Sequence, residues 1–239
     1  MSKTPIISVQ HLVKNYGDFK AVKDISFEVY QGEIFGLLGP NGAGKSTTLE
    51  IIETLREKTS GNIIVDGLNL DTHPESIKKI IGVQLQTAGF YPNLNLVELI
   101  ELFVGLYQTN IDPITLLEKV NLVDKAKSKF KELSGGQKQR ILIARALYKD
   151  PDYLFFDEAT NSLDVINEQK IVVALEEIFK NKTVIVVAHR LSTIRKADQI
   201  VVLKNGFIAE VGNHDLLMTR ENGHYYQLVK TQIGDSING

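Results

Sequence analysis

The chain has 239 residues, of which 43% are apolar and 23% are charged, close to the average usage of globular domains. A formal net charge of -2 gives no electrostatic reason to expect nucleic acid as a partner. Because there is no cysteine, the sequence excludes a disulfide framework and a thiolate metal site. The segment from Met1 to Gln10 lacks the apolar core of a signal peptide, and no apolar run approaches the roughly 18 residues of a membrane span.

Short strands dominate the first third of the chain. Ile25, Phe27 and Val29 alternate with polar or small residues, which predicts a half-buried strand. The other elements predicted here are a strand over Ile34 to Leu38, a helix over Thr47 to Leu55, and a strand over Asn62 to Val65 that ends in the turn Asp66-Gly67.

Helical spacing of apolar residues marks the middle of the chain, which we expect to form a small helical subdomain. The last third alternates buried strands with a helical pattern, and this predicts a parallel sheet covered on both faces. Asn205-Gly206 between two apolar runs is a strong hairpin signal, and the tail from about Asn213 alternates helical stretches with polar turns. The predicted helices are Asn95 to Tyr107, Pro113 to Asn121, Gly135 to Tyr148 and Asn167 to Phe179, and the predicted strands are Tyr153 to Phe156, Thr183 to Ala188, Ile200 to Leu203 and Phe207 to Val211.

A phosphate-binding loop is the clearest chemical signal. Gly39-Pro40-Asn41-Gly42-Ala43-Gly44-Lys45-Ser46 fits the P-loop pattern at every fixed position, with an apolar strand before it and a helix after it. Glycines let backbone N–H groups converge on phosphate oxygens, and the helix N-terminus favours an anion. Lys45 is then expected to reach the β- and γ-phosphates, and Ser46 to offer its hydroxyl to Mg²⁺. A glycine-rich turn with an incidental lysine is disfavoured by the flanking strand and helix.

Two adjacent acids follow a buried strand later in the chain. In Tyr153-Leu154-Phe155-Phe156-Asp157-Glu158, Asp157 is the candidate on the Mg²⁺ side and Glu158 is placed to act as general base on the attacking water. Alone, such a pair could equally be a solvated turn. The P-loop favours the functional interpretation.

A second glycine-rich segment lies shortly before the acidic strand. In Leu133-Ser134-Gly135-Gly136-Gln137-Lys138-Gln139-Arg140, Ser134 and the glycine pair open a helix and form another anion-binding helix terminus. An ordinary N-cap explains Ser134 but not the whole string. The string resembles the signature motif of ABC ATPases.

The resemblance covers essentially the whole chain and implies one ABC ATPase domain over residues 1–239. The implied fold is an α/β P-loop NTPase with a parallel-sheet core, an N-terminal antiparallel β-subdomain, and an α-helical subdomain inserted at about residues 87–150. It also implies that the chain binds ATP and Mg²⁺.

Further family motifs appear in order. Tyr16 matches the aromatic residue that stacks on adenine, although by itself it would be an ordinary, partly exposed tyrosine. Gln86 matches the glutamine that contacts Mg²⁺ and the water and senses the membrane partner, with Gln84 as a nearby alternative. His189 matches the histidine that contacts the γ-phosphate, whereas a lone histidine after a strand is usually structural. His11, His73, His214 and His224 have no metal-ligand spacing and are interpreted as surface residues.

The resemblance thereby implies a complete set of site residues. Ser162-Leu163-Asp164 matches the loop that crosses to the partner subunit. The implied nucleotide-binding residues are Tyr16, Gly39, Asn41, Gly42, Gly44, Lys45, Ser46, Thr47, Ser134, Gly135, Gly136, Gln137 and Asp164; the catalytic residues are Glu158, His189 and Gln86; and the Mg²⁺ ligands are Ser46, Gln86 and Asp157.

The implied mechanism requires two copies of the chain. Each ATP would be held between one copy's P-loop and the other copy's segment from Ser134 to Gly136, so that ATP binding closes a homodimer and hydrolysis at Glu158 reopens it. The cycle would drive a transmembrane permease, expected on a separate chain and docked near Gln86 and the helical segment. The expected location is cytoplasmic, on the inner face of the membrane, and the expected direction of transport is export.

Two parts of the chain resemble different branches of the family. Residues up to roughly Leu117 resemble stand-alone ATPase subunits of drug or polysaccharide exporters. From about Lys131 onward, Ala188-His189-Arg190-Leu191-Ser192-Thr193 and the ending from Gly212 to Leu217 resemble ATPase domains fused to their membrane domain in peptide and bacteriocin exporters. We hypothesise a chimera joined between Leu117 and Leu133.

Other functions remain as alternatives. A soluble ABC-type ATPase in DNA repair or translation is the first, but the chain has neither sustained heptads nor a second tandem domain. A nucleotide kinase or another simple P-loop enzyme would leave the signature-like segment unexplained. A nonfunctional binding module would be indicated by the loss of Lys45, Glu158 or His189, and all three are present.

Overall fold

The structure is a computed structural model that describes residues 4–84, 91–107, 109–157, 179–180, 182–187 and 194–237, with side chains up to residue 231. The chain divides into two units, one of Met1–Lys79 with Thr183–Gly239 and one of Ile80–Lys182. None of the helices described is both long and apolar enough to cross a membrane. The predicted helix over Asn167 to Phe179 falls almost entirely outside the described residues.

The described part of the chain contains ten strands and seven helices. Two short 3₁₀ turns, Val123–Lys125 and Phe130–Glu132, lie in its middle part. The strands and helices are β1 (Ile7–Tyr16), β2 (Phe19–Val29), β3 (Ile34–Leu38), α1 (Lys45–Ile52), β4 (Ser60–Val65), β5 (Leu68–Asn69), α2 (Pro74–Ile80), β6 (Ile81–Gln84), α3 (Leu96–Tyr107), α4 (Pro113–Lys119), α5 (Gly135–Leu147), β7 (Tyr153–Asp157), β8 (Thr183–Val187), β9 (Gln199–Lys204), β10 (Phe207–Gly212), α6 (His214–Met218) and α7 (His224–Ile237).

An antiparallel sheet with the order β2-β1-β4-β5 occupies the N-terminal part of the first unit. Val9 pairs with Phe27 on β2 and with Ile63 on β4, and all three side chains are buried. The sequence did not predict β1, because register shifts and a left-handed residue, His11 (φ 52°), interrupt its alternation. The antiparallel β-subdomain is confirmed.

Parallel strands form the core of the first unit. β3 lies between β8 and β9 and pairs with both in parallel, while β10 adds an antiparallel edge to β9. β8 is buried along its whole length, as expected for a strand covered on both faces. The predicted hairpin turn is confirmed, since Asn205 and Gly206 both have positive φ, 52° and 84°.

The helix after the P-loop begins and ends earlier than predicted. α1 starts at Lys45 rather than Thr47, because the loop's glycines lead directly into helical backbone. It ends at Ile52 rather than Leu55, since Thr54 has a left-handed φ of 62° and Leu55 donates its N–H to the Glu50 carbonyl.

Among its described residues, the second unit contains helices and a parallel strand pair. β6 pairs with β7 in parallel, and α5 packs against β6. α3 starts at Leu96 because Asn95 and Glu98 cap it reciprocally. α4 begins after Asp112, whose carboxylate accepts the N–H of Thr115. The helical content of this stretch agrees with the prediction, while the boundaries of a helical subdomain at about residues 87–150 stay a prediction.

The C-terminal helix α7 is fixed to the hairpin strand by one carboxylate. Glu210 on β10 accepts the N–H groups of His224 (3.1 Å) and Tyr225 (2.9 Å) at the start of α7. Tyr225 is fully buried, and burial raises the pKa of its hydroxyl to about 12. His214 Nδ1 lies 2.7 Å from that hydroxyl. The His214 side chain is half-buried, so the prediction that it is a plain surface residue is wrong.

We expect the substitution Glu210→Ala to lower the free energy of unfolding by about 1–2 kcal/mol, because it leaves two N–H groups of α7 without their acceptor. Denaturant unfolding followed by circular dichroism measures the change. The matched control is Glu221→Ala, an exposed acid in the turn before α7, which should change stability by less than about 0.5 kcal/mol. Equal losses in the two variants would contradict the role of Glu210.

Candidate nucleotide-binding site

The P-loop connects β3 to α1 in the first unit. Gly44 is the N-cap residue of α1, with a left-handed φ of 102°, and it offers no side chain to cap the helix. The first regular helical bond runs from the Thr48 N–H to the Gly44 carbonyl, so the N–H groups before it point beyond the helix end. This end of α1 therefore has the donors and the dipole that bind a phosphate.

Lys45 folds back over the loop. Its ammonium donates hydrogen bonds to the carbonyls of Gly39 (2.8 Å) and Pro40 (3.1 Å), and the residue is only 5% exposed. A cation held at a loop by carbonyl groups and shielded from bulk water attracts an anion more strongly than a solvated surface lysine does. The predicted role of Lys45 toward phosphate is consistent with this position.

The carbonyl of Ala21 on β2 explains why glycine is required at two positions. A Cβ at Gly44 would lie 2.7 Å from the Ala21 oxygen, and a Cβ at Gly206 would lie 2.9 Å from the same atom. Gly206 also donates its N–H to the Ala43 carbonyl at 3.2 Å and accepts the N–H of Lys23 at 2.8 Å. The P-loop is thus held between β2 and the hairpin of β9 and β10.

Gly42 differs from the other P-loop glycines because it faces open space. No atom lies within 4 Å of the position that its Cβ would occupy, and both Asn41 and Gly42 are exposed. Ser46 and Thr47 are half-buried at the start of α1. The open side of the loop and the hydroxyls that follow it fit the triphosphate and Mg²⁺ expected from the sequence.

Tyr16 ends β1 in the same unit and is 40% exposed. Two cations lie over its ring: the guanidinium carbon of Arg56 is 5.4 Å from the ring centroid, and the ammonium of Lys14 is 5.1 Å away. An exposed aromatic ring of this kind is suited to stacking on a nucleotide base.

The signature-like segment lies in the second unit at the start of α5. Ser134 is the N-cap: its hydroxyl accepts the Gln137 N–H at 3.3 Å, and the Gln137 side chain accepts the Ser134 N–H at 2.9 Å. This capping box confirms the predicted helix start. Gly135 is exposed, with nothing within 4 Å of a Cβ, whereas Gly136 is buried. The exposed terminus therefore has room for an anion.

Asp157 ends the buried strand β7 and is half-exposed, as expected of a carboxylate at the carboxyl end of a parallel strand. Gln84, the alternative to Gln86, is 1% exposed within β6. The predicted residues Gln86, Glu158, Ser162, Leu163, Asp164 and His189 lie outside the described residues.

The structure also describes the four histidines other than His189. No cluster of metal-binding side chains occurs among the residues whose positions the structure gives. His11 is exposed and bonded to Asp24 at 2.8 Å, and His73 is exposed beside Thr72. His224 is half-buried near Lys204.

Comparison with known protein families agrees with the geometry. A family model described as ABC transporter matches residues 22–161, more than half of the chain. The chain belongs to this family. The matched range contains the P-loop, the signature-like segment and Asp157, so the chain is an ABC ATPase domain that binds ATP.

Relatives of this ABC domain include two proteins that are named for transport or export. The mitochondrial iron-sulfur clusters transporter ABCB7 of Danio rerio is 36% identical over 223 residues, covering 89% of this chain and 30% of the relative. The Beta-(1→2)glucan export ATP-binding/permease protein NdvA of Rhodopseudomonas palustris (strain BisB18) is 37% identical over 230 residues, covering 91% of this chain and 37% of the relative. The chain thus spans about a third of the length of these relatives.

Solved structures show the same fold. A bacterial Atm1-family ABC exporter with ATP bound matches with a TM-score of 0.84 and 29% identity, covering 97% of this chain and 42% of that one. The dimeric ATP-binding cassette MJ0796, in a post-hydrolysis state with ADP and Pi, matches with a TM-score of 0.76 and 30% identity, covering 87% of this chain and 98% of that one. These relatives are transporters or transporter cassettes, so the repair or translation alternative is not favoured. The chimera joined between Leu117 and Leu133 stays a hypothesis.

Sequence reasoning missed the groups around Tyr16. Arg56 and Glu50 form an ion pair beside the ring, and Thr59 bonds to the strand that carries it. The available signal was the cluster of polar residues directly after α1, but no motif of the ABC family marked it. Only the fold brings these residues to the end of β1.

We expect Gly44→Ala to destabilise the ABC domain more than a substitution that imposes backbone strain alone. Gly67→Ala is the control, since Gly67 has a positive φ of 73° but open space around its Cβ. The strain should cost about 1–2 kcal/mol at either position. The overlap with Ala21 should add roughly 1–3 kcal/mol for Gly44→Ala. Urea unfolding gives both values, and equal losses would contradict the packing role of the Ala21 carbonyl.

Proposed function

We propose that the chain hydrolyses ATP as one half of a two-fold dimer and that this hydrolysis powers a membrane-spanning exporter. The observation that carries the proposal is the P-loop, in which a buried Lys45 lies beside the open N-terminus of α1. It supports triphosphate binding within one copy, and the second exposed helix terminus at Ser134 supports a contact with the nucleotide of another copy.

The residues predicted to bind the nucleotide and its metal ion have distinct tasks. Lys45 and the first N–H groups of α1 bind the phosphates, and Tyr16 stacks on the base. By the family resemblance, the Ser46 hydroxyl, the Asp157 carboxylate and Gln86 would be the ligands of Mg²⁺, and oxygen groups of these kinds are the hard ligands that Mg²⁺ requires. When bound, Mg²⁺ neutralises charge that develops on the phosphate oxygens.

Hydrolysis itself rests on residues outside the described part of the chain. Glu158 accepts the proton of the attacking water as general base, and His189 donates a hydrogen bond to the γ-phosphate. Gln86 is preferred to Gln84 for orienting the water, because the side chain of Gln84 is buried within its strand. Protonation of Glu158 or its replacement by an amide removes the base.

The dimer completes each site. Ser134 and Gln137 satisfy each other in the capping box, so the exposed backbone at Gly135 is left to contact a phosphate. Asp164 completes the contact to the partner copy, whereas Gly136, also predicted to bind the nucleotide, is buried in the single copy. Support comes from the cassette MJ0796, which is dimeric and bound to ADP and Pi.

The relatives support the proposal of a membrane partner. NdvA is an ATP-binding/permease protein, and this chain covers 37% of it. We infer that the chain acts at the inner face of the membrane through a permease portion, with export as the direction. A permease on a separate chain stays a prediction.

Mixing two inactive variants tests the shared site. Lys45→Ala disables the P-loop and Ser134→Arg blocks the signature segment, so each homodimer should be inactive. In a mixed dimer one site carries both defects and the other carries none. An equal mixture should therefore recover about a quarter of the wild-type Mg²⁺-dependent ATPase rate per subunit, because half of the dimers are mixed.

Wild type and Glu158→Gln provide the upper and lower limits of the rate, and thermal unfolding shows whether each variant folds. A mixture that stays as inactive as its components, although mixed dimers form, would contradict the composite site. So would a Ser134→Arg homodimer with the wild-type rate.

A further inference from the structure

Arg56 links the ring of Tyr16, which we propose stacks on the nucleotide base, to α1, the helix that begins at the P-loop. Its Nε donates to Glu50 Oε2 at 2.5 Å, and its backbone N–H donates to the Glu50 carbonyl at 3.1 Å. Glu50 lies on α1, whose first residue is Lys45. The same guanidinium lies over the ring of Tyr16. One side chain therefore touches both the helix of the phosphate site and the aromatic ring.

The loop that carries Arg56 is also joined to the strand that carries Tyr16. The Thr59 N–H donates to the Val13 carbonyl at 2.9 Å, and the Thr59 hydroxyl accepts the Asn15 N–H at 2.9 Å. These two bonds fix the loop on either side of Lys14, immediately before Tyr16. The distance from the guanidinium to the ring is thus set by the backbone as well as by side chains.

The two cations near Tyr16 differ in how they are held. Arg56 is anchored by Glu50, and this hydrogen bond, with a further contribution from Tyr16, raises the pKa of Arg56. Lys14 pairs with no carboxylate among the described residues, and its ammonium ends a flexible stem. A base that stacks on the ring can displace Lys14 at little cost, whereas Arg56 stays in place.

We propose that Arg56 is a positioning residue for the nucleotide base: held by Glu50, it fixes the ring of Tyr16 so that the base meets a preoriented platform. The inference rests on the proposed role of Tyr16 as the base-stacking residue. An immobilised ring loses less conformational freedom on binding, and a cation on a π-face stabilises one ring orientation. Arg56 acts on the base through Tyr16 and has no role toward the phosphates.

Two ligands separate this role from a structural one. ATP contains the base, whereas inorganic tripolyphosphate presents only the phosphates. Calorimetric titration of both into the whole chain should show that Arg56→Gln weakens ATP binding about threefold to tenfold and leaves tripolyphosphate binding unchanged. Arg56→Lys keeps the charge but loses the planar fork, so it should restore only part of the ATP affinity. Glu50→Gln should weaken ATP binding in the same selective way, because it releases the guanidinium.

Lys14→Gln is the matched control, since it removes the other cation at the same ring. It should change ATP affinity less than Arg56→Gln does, and an equal or larger loss would overturn the anchoring by Glu50. Weakening of both ligands by Arg56→Gln to the same extent would mean that the residue only stabilises α1, and would also overturn the inference.

The substitution Tyr16→Ala separates the base-stacking role of Tyr16 from the positioning role of Arg56. If it weakens ATP binding selectively while Arg56→Gln has no effect, the base-stacking role of Tyr16 stands and the positioning role of Arg56 is wrong. If Tyr16→Ala leaves ATP binding unchanged, the base-stacking role itself is wrong, and the inference about Arg56 fails with it.

Discussion

The close packing of two glycines around the Ala21 carbonyl is the constraint on which the phosphate site depends. Gly44 fixes the start of α1 against β2, and Gly206 brings the hairpin of β9 and β10 to the same carbonyl. A side chain at either position would overlap backbone, which cannot move aside as a flexible side chain can. The direction of the first N–H groups of α1 is therefore set by backbone packing before any ligand binds. Such preorganisation lowers the cost of binding a triphosphate.

The positive charge at the phosphate site comes from Lys45, a residue of the P-loop itself. Lys45 is held by the carbonyls of Gly39 and Pro40, so the cation is placed by the same backbone that supplies the donors. In the second unit, Ser134 and Gln137 satisfy each other, which leaves backbone rather than side chains to contact a ligand. The two helix termini thus offer the same chemistry, and in the proposed dimer each of them would have a phosphate to bind.

Local patterns predicted the parts of the fold that depend on local chemistry. The P-loop, the hairpin at Asn205-Gly206 and the helix start at Ser134 were predicted because turn and cap residues act within a few positions of themselves. β1 was missed because its register shifts destroy the period-two pattern. The Arg56–Tyr16 contact could not be predicted, since it depends on how the loop after α1 folds onto another strand. The roles of Glu158 as general base and of His189 toward the γ-phosphate stay predictions from the family resemblance, because those residues lie outside the described part of the chain.

The most direct test of the account is the affinity of the chain for ATP when Lys45 alone is changed. Calorimetric titration of ATP with Mg²⁺ into the wild type and Lys45→Ala should show a loss of at least about tenfold in affinity, since a charge-assisted contact to phosphate contributes about 1.5–3 kcal/mol. Thermal unfolding without nucleotide should show that the variant still folds. Unchanged ATP affinity in a folded Lys45→Ala variant would contradict the claim that the P-loop is the phosphate site.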